Sequence, residues 1–277
     1  MTDDFGPDFT AASDGLPARK VEPWAKDKLH YLSRYIDAFT TAMKDKWRLV
    51  YIDLFSGPGR SVITDTGEEI LGSPFLALEA KTPFTQLFFN DINPEATLAL
   101  AKRVGTRSDV VISTADCNAA AVDAGARLFA GPDAGRTLGL AFIDPTAFHI
   151  GFDAIAVLTQ ARRVDVIITV MTSYMKRFMD RASFGSALDQ YFGSPDWRDM
   201  VDSKSDGEKI TSRRLLDHYE GKLRLLGYAH FDDGVRVVNS KESTIYHLVL
   251  ASRHPLATKL FGAISKKDRA GQFRMEL

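Results

Sequence analysis

Cysteine is nearly absent from this chain, and long apolar runs are absent altogether. The only thiol in 277 residues is Cys117, which by itself can form neither an internal disulfide nor a cysteine metal cluster. No stretch reaches 18 apolar residues, and residues 1–10 are acidic and polar. These features predict neither a membrane span nor a secretion signal, so we expect a cytoplasmic protein.

The overall composition is that of a soluble globular protein, with 45% hydrophobic and 26% charged residues. The net charge of −1 is unevenly divided: residues 1–150 hold 15 Lys and Arg against 20 Asp and Glu, while residues 151–277 hold 20 against 16. A basic C-terminal half leaves a nucleic-acid-binding module open as one hypothesis. Its cations are dispersed, however, which is also typical of an ordinary solvated surface.

The first 20 residues carry glycines and prolines without periodicity, which predicts a flexible N-terminal arm. We expect residues 21–277 to form one domain, beginning with a helix in which apolar residues recur at spacings of three and four. Strands then alternate with helices, which predicts a doubly wound, Rossmann-like and mostly parallel α/β sheet. The predicted strands cover residues 48–54, 86–91, 110–114, 138–144 and 165–170, and the predicted helices cover 94–104, 118–129 and 152–161.

The pattern changes after the fifth predicted strand. The sequence predicts short helices and polar loops over residues 174–205, which form a candidate helical cap. It predicts a longer helix over residues 209–226. Two strand-like runs, 235–239 and 245–251, are then close enough in sequence to form an antiparallel pair. A polar insertion at residues 60–71 is either a lid or a surface loop.

The segment Tyr51-Ile-Asp-Leu-Phe-Ser-Gly-Pro-Gly59 is the most informative motif. An apolar strand ends in an acid and runs into a turn where Gly57 and Gly59 lack side chains, so the backbone can approach a ligand closely. The third glycine of a dinucleotide-binding loop is missing. The form Asp-x-Phe-x-Gly-x-Gly instead resembles the first motif of S-adenosylmethionine (SAM) dependent methyltransferases. This resemblance implies cofactor contacts for Asp53, Phe55, Gly57 and Gly59, next to the methionine part.

Acids also end or follow the other predicted strands. Ligands of a doubly wound sheet bind outside the carboxyl ends of its strands, where Asp91 is placed to accept both ribose hydroxyls and Asp116 to meet the adenine amino group. Asp53 and Asp144 lie at the same edge. Each acid alone could equally cap a helix or form a turn, but four at one edge favour a nucleoside site.

The fourth strand end bears on the chemistry. Methyltransferases that modify exocyclic amines hold the target nitrogen with an acid or amide, two prolines and an aromatic residue. Here Asp144-Pro145-Thr-Ala-Phe148 keeps the acid and one proline and delays the aromatic residue, so Asp144 and Pro145 are the candidate catalytic residues. Methylation at a cytosine carbon would need a cysteine nucleophile nearby. Cys117 follows a different strand, which excludes that mechanism.

The order of these segments resembles the three-Cys-motif partner (TcmP) family over about residues 24–275. The matching pieces are Trp24 with Lys28, Tyr51–Gly59, Gly72-Ser-Pro74, Phe142-Ile-Asp-Pro145 and Tyr246–His254. The resemblance implies a class I methyltransferase-like fold and a partner protein whose three-cysteine motif holds an iron–sulfur cluster. The chain departs from the commoner family pattern at Leu54, Ser56 and Thr146-Ala147.

Three hypotheses follow from the sequence. The leading one is a SAM-dependent methyltransferase that releases S-adenosylhomocysteine and acts on an unidentified acceptor, such as an amine on a nucleic acid. The alternatives are a non-catalytic partner or scaffold that keeps the nucleoside pocket, and the nucleic-acid-binding module. The sequence does not fix the oligomeric state.

Overall fold

A computed structural model describes residues 9–179, 181–202 and 210–273. The strands are β1 Phe9–Ala11, β2 Pro17–Val21, β3 Arg48–Asp53, β4 Arg60–Ile63, β5 Glu69–Leu71, β6 Gln86–Asp91, β7 Val110–Thr114, β8 Thr137–Ile143, β9 Arg163–Val170, β10 His230–Val238 and β11 Thr244–Ser252. The α-helices are α1 Ala25–Met43, α2 Ser73–Leu78, α3 Pro94–Val104, α4 Cys117–Leu128, α5 Phe152–Thr159, α6 Thr172–Phe178, α7 Gly185–Phe192, α8 Arg198–Asp202, α9 Ser212–Leu225 and α10 Pro255–Ser265. Short 3-10 turns cover Ala134–Arg136, Ala182–Phe184 and Pro195–Trp197.

Seven strands form the main sheet in the order β10-β11-β9-β8-β3-β6-β7. The five strands from β9 to β7 are parallel, while β11 runs antiparallel to both β9 and β10. This arrangement confirms the predicted Rossmann-like sheet and its antiparallel C-terminal pair. The chain goes from β3 to β6 on one side and later to β8 on the other, so a cleft opens at the carboxyl end of β3.

Helices cover both faces of this sheet, so its central strands are buried on both sides and carry apolar side chains on both faces. One core lies between the sheet and α1, α2 and α10, with Tyr35, Phe39 and Phe261 among its largest fully buried members. The other lies against α4, α5, α7 and α9. Burying these faces drives the layered fold, since apolar area contributes roughly 25 cal/mol per Å² removed from water.

The bounds of β6, α3 and β7 agree with the sequence prediction to the residue. The C-terminal strands are longer than expected, and helix α10 was not predicted. In the candidate cap, the described residues 174–202 contain short helices that pack on an aromatic cluster around Phe148, whose ring lies 5.2 Å from that of Tyr174 and 5.5 Å from that of Tyr191. Residues 180 and 203–205 of this cap lie outside the described residues.

A second sheet, β1-β2-β4-β5, differs from our prediction of a flexible arm over residues 1–20. Strand β2 pairs antiparallel with β1 and parallel with β4, which belongs to the insertion at residues 60–71. The insertion is therefore a β-hairpin whose strands β4 and β5 extend this sheet. Strand β1 has only three residues, and β2, with the sequence Pro-Ala-Arg-Lys-Val, shows no alternation of apolar and polar residues, so periodicity reveals neither strand. Residues 1–8 of the predicted arm lie outside the described residues.

Arg103 of α3 links this small sheet to the glycine turn after β3 through hydrogen bonds. Its side chain is only 4% exposed, and it donates hydrogen bonds to both carboxylate oxygens of Asp14 at 2.8 Å and to the carbonyls of Pro17 and Pro58 at 2.7 Å. Pro58 lies inside the glycine turn. One buried guanidinium thus joins the segment before β2 to the turn that follows β3.

None of the described helices combines the length and the apolar character needed to cross a bilayer.

Replacing Arg103 with alanine tests this junction. We expect Arg103→Ala to lower the free energy of unfolding by about 1–3 kcal/mol, because it removes the donor that bonds the carbonyls of Leu16, Pro17 and Pro58. Urea unfolding followed by circular dichroism measures the change. The matched control is Arg127→Ala, whose exposed pair with Asp123 should contribute less than about 1 kcal/mol. Equal losses in the two variants would contradict the proposed junction.

Candidate functional site

The glycine turn after β3 forms the floor of the cleft. Gly57 has φ +59° and Gly59 has φ +83°, conformations that favour glycine. A Cβ on Gly59 would come within 2.7 Å of Phe75 and 2.8 Å of Leu100, so packing also requires glycine there. A Cβ on Gly57 would lie 3.7 Å from the guanidinium of Arg19. The side of the turn that was predicted to approach a cofactor is therefore covered by an arginine from β2.

Asn90 ties the carboxyl ends of three strands together. Its buried amide donates to the carbonyls of Leu54 and Ala115 at 3.3 and 3.0 Å and accepts from the Ala115 N–H at 3.2 Å. The Ser56 N–H donates to the Asn90 carbonyl at 2.8 Å. Sequence reasoning missed this residue. The available signal was an amide inside an otherwise apolar strand, which is costly to bury without partners.

Asp91, predicted to bind ribose, is 4% exposed and already holds three donors. Its Oδ2 accepts from the Gly57 N–H at 2.9 Å and from Arg19 at 3.3 Å, and its Oδ1 accepts from the Asn93 N–H at 2.9 Å. The acid and the glycine turn are thus in direct contact. A ribose can reach Oδ2 only after Arg19 moves away, because that oxygen is otherwise occupied.

Asp53 lies fully buried beneath the turn. Its Oδ1 accepts from the Phe55 N–H at 3.1 Å, while its Oδ2 has no hydrogen-bond partner among the described residues. Burial raises the pKa of this carboxyl to about 7. The nearby Ser73 hydroxyl and the Phe55 N–H lower the pKa in part, although Ser73 falls short of hydrogen-bond geometry. Asp53 therefore supports the turn from below, whereas half-buried Phe55 lines the cleft.

Asp116 is exposed at the same edge of the sheet and caps α4. It accepts from the backbone N–H and the side-chain amide of Asn118, both at 2.9 Å. Asn118 in turn accepts from the Gly151 N–H at 2.7 Å. The contacts seen here are those of a helix cap, and the predicted contact with adenine stays a prediction.

Asp144 follows β8 and forms an ion pair with Lys28 of α1. Both side chains are less than one-fifth exposed, and the Lys28 ammonium lies 5.4 Å from the ring centroid of Tyr246. Pro145 is buried behind the acid. The candidate catalytic carboxylate therefore has its own counter-ion within the chain.

Cys117 is buried at the start of α4, where its thiol donates to the carbonyl of His149 at 3.4 Å. Burial raises the pKa of this thiol to about 12, so it stays protonated at neutral pH and is a poor nucleophile. This agrees with excluding a cysteine-dependent mechanism.

The cleft lies where β2, α1, the glycine turn and the end of β8 meet. It is lined by Arg19, Lys28, Phe55, Gly57, Ser73 and Asp144, among others. Its volume is about 70 Å³, far below the roughly 300–1,000 Å³ of small-molecule sites. Strand β2 and the Arg19 side chain account for this, because they lie over the turn. Four of the predicted residues, Phe55, Gly57, Gly59 and Asp144, line this cleft. Asp53 is buried and does not line the cleft, and Asp91 contacts two of its lining residues, Gly57 and Arg19.

No protein-family model and no curated protein sequence matches this chain. Among solved structures, protein LPL1258 from Legionella pneumophila superposes with a TM-score of 0.51 at 12% identity, covering 88% of this chain and 92% of that one. The N-methyltransferase NodS from Bradyrhizobium japonicum WM9 has a TM-score of 0.43 at 8% identity, over 84% of this chain and 98% of NodS. A methyltransferase described as putative and SAM-dependent, from Listeria monocytogenes, has a TM-score of 0.39 at 12% identity, over 78% and 98%.

The chain has a doubly wound, Rossmann-like α/β fold, and LPL1258 shares it over most of both chains. Structural similarity at 8–12% sequence identity supports the fold alone and does not assign a family. The resemblance to the TcmP family therefore stays a prediction.

The buried carboxyl of Asp53 predicts a pH-dependent stability. Its pKa in the folded protein, about 7, exceeds the ordinary 3.8, so the folded state binds more protons than the unfolded state between these values. This group's contribution to stability therefore falls as pH rises from about 4 to 7. The side chain of the Asp53→Asn variant stays neutral at every pH. We therefore expect the free energy of unfolding of Asp53→Asn, measured relative to wild type, to be about 1–4 kcal/mol higher at pH 8 than at pH 4.

Urea unfolding at both pH values measures the Asp53→Asn difference. Asp45→Asn, at an exposed position after α1, is the control and should change stability by less than about 0.5 kcal/mol at either pH. A constant difference between Asp53→Asn and wild type would show that Asp53 is not protonated preferentially in the folded protein.

Proposed function

We propose that this protein is a SAM-dependent methyltransferase. The observation that carries the proposal is the hydrogen bond from the Gly57 N–H to the Asp91 carboxylate. It joins the turn whose motif resembles a methionine-binding loop to the acid placed for a ribose diol. Both lie at the carboxyl edge of a doubly wound sheet, where such folds bind nucleosides.

The chemistry of the cleft residues fits this cofactor. Asp91 offers carboxylate oxygens to ribose hydroxyls, and the cations Arg19 and Lys28 line the side of the cleft where a carboxylate could bind. Exposed Ile92 follows Asp91 directly and offers an apolar contact for an adenine ring. When bound, SAM supplies an electrophilic methyl group. Binding requires Arg19 to release Asp91, and the freed guanidinium is then available to the carboxylate of the cofactor.

Asp144 would accept a hydrogen bond from the acceptor group, while its ion pair with Lys28 holds the carboxylate in place. Positioning of this kind supplies much of the rate in methyl transfer, since no strong nucleophile from the protein is needed. Half-buried Tyr174 and Phe178 extend the aromatic cluster around Phe148 beyond this acid. Such rings suit a planar acceptor, such as a base carrying an amine.

The second candidate is a non-catalytic protein that keeps the nucleoside pocket for sensing or scaffolding. It is favoured by one observation: Asp91 and Asp144 are both paired with cations of the chain itself, and the cleft is small. We also propose, on the TcmP resemblance alone, that either form acts with an iron–sulfur partner protein.

Calorimetry with SAM and S-adenosylhomocysteine tests the proposed pocket. We expect Asp91→Ala to weaken binding by about tenfold or more, because the ribose loses hydrogen bonds to a charged group. Asp45→Ala is the matched control and should bind as wild type does. Thermal melting confirms folding, and Asp91→Asn serves if the alanine variant unfolds. Failure of the folded wild type to bind either compound at millimolar concentration would overturn the proposal.

Transfer of a labelled methyl group from SAM to total cellular RNA, DNA and protein separates the two candidates. For an enzyme, we expect Asp144→Ala to abolish transfer while SAM affinity stays within about threefold, because Asp144 would contact the acceptor and not the ribose. Transfer that persists at the wild-type rate in Asp144→Ala would remove Asp144 from the mechanism. SAM binding without transfer to any fraction would favour the scaffold.

A further inference from the structure

A second cavity opens at the edge of the main sheet opposite the cofactor cleft. It has a volume of about 480 Å³ and lies between α1 and α10, against the first residues of β8 and β9. Its apolar lining includes Phe39, Met43, Trp47, Leu138, Leu256 and Leu260. The volume is within the range of small-molecule sites. Because the cleft described above lies at the carboxyl ends of the strands, this cavity is a separate site.

Two polar groups in the cavity wall have hydrogen-bonding capacity to spare. Tyr35 is fully buried, and its hydroxyl has no partner among the described residues. Asp165 accepts from the Ser252 hydroxyl at Oδ1, at 2.6 Å, and no bond from the described residues reaches its Oδ2. Burial first, and then the charge of Asp165, raises the pKa of Tyr35 well above its usual range, so the two groups interact. The Tyr35 hydroxyl is a buried polar group without a partner, which is rare and costly, whereas Asp165 is half-buried.

Of the three lysine and arginine side chains that line the cavity, the two guanidiniums are already engaged elsewhere, and Lys46 is exposed. Arg253 donates to the carbonyls of Arg162 and Leu226 at 2.9 and 2.7 Å. Arg163 donates to the Gly135 carbonyl at 2.9 Å, and its guanidinium lies 5.1 Å from the ring centroid of Trp47. These charges offset that of Asp165 without hydrogen-bonding to it. A neutral N–H or O–H donor therefore suits the site better than an ammonium group, which the two guanidiniums would repel.

We propose that this cavity binds a small, planar, mostly apolar molecule with one neutral hydrogen-bond donor, of the indole or phenol class. The donor bonds Oδ2 of Asp165 near the Tyr35 hydroxyl. The ring lies between α1 and α10 and packs on Phe39, Trp47 and Leu256. Burial of the ring gives affinity, and the donor fixes its orientation. This site does not depend on the proposed methyltransferase activity.

Calorimetric titration with indole and with 1-methylindole tests the proposal. The two probes share an apolar bicyclic ring, but a methyl group replaces the only N–H donor in the second. We expect wild type to bind indole at least about tenfold more tightly, as a hydrogen bond to a charged group requires. Asp165→Asn should shrink this preference to about threefold or less, whereas the exposed control Asp45→Asn should keep it. Equal affinity for both probes in wild type, or no measurable binding of indole, would overturn the proposal.

A cavity-filling variant locates the site. Ala257 of α10 lines the cavity and is 4% exposed, so Ala257→Phe should abolish indole binding while thermal melting shows a folded protein. Leu260→Trp replaces it if Ala257→Phe does not fold. Unchanged indole affinity in a folded cavity-filling variant would place the probe elsewhere and contradict the assignment.

Sedimentation of the same samples tests a second copy of the chain as the occupant. We expect the sedimenting mass to be the same for wild type and for the cavity-filling variant. A wild-type dimer that dissociates in that variant would show that another protomer covers this face and would likewise overturn the small-molecule site.

Discussion

The carboxylate of Asp91 is the contact on which the cleft depends. It accepts the Gly57 N–H, which fixes the glycine turn after β3, and it pairs with Arg19, which fixes β2 over that turn. A buried carboxylate needs such donors, because leaving it unpaired would cost several kcal/mol. The same oxygens are those that a ribose diol would use. The interaction that closes the cleft and the interaction that would bind a nucleoside are therefore mutually exclusive at Oδ2.

Opposite charges close the cleft at its other wall as well. Lys28 of α1 pairs with Asp144 after β8, and Arg103 of α3 holds the segment before β2 against the turn. Each cation reaches an acid or carbonyl far away in sequence, so the charges of three elements neutralise one another where the strands end. Low exposure strengthens these pairs relative to surface ion pairs. A ligand must replace these contacts with interactions of similar strength, and a molecule with a diol, a carboxylate and a positive centre has the groups to do so.

Helix α1 connects the two edges of the sheet. Lys28, in its first turn, lines the charged cleft, whereas Tyr35, Phe39 and Met43 line the apolar cavity further along the helix. The two sites differ in chemistry: the first is small and lined by charges, and the second is larger and mostly apolar. The charged cleft follows from the acids at the carboxyl ends of the strands, and the apolar cavity follows from the gap between α1 and α10.

The sequence by itself determined the alternating elements, the doubly wound sheet and the edge where the acids gather, because strand and helix periodicities and glycine turns are local properties. It also placed Asp91 at the same edge of the sheet as the glycine turn. Only the tertiary structure decided that β1 and β2 form a sheet over the cleft, because β2 pairs with β4, about 40 residues away in sequence. Strand β1 has only three residues, and β2 shows no apolar alternation. It also decided that Arg19 pairs with Asp91 and Lys28 with Asp144, and that Asn90 hydrogen-bonds to the residues that follow the two neighbouring strands, β3 and β7. Long-range partners of this kind follow from the packing of distant elements, which local sequence does not encode.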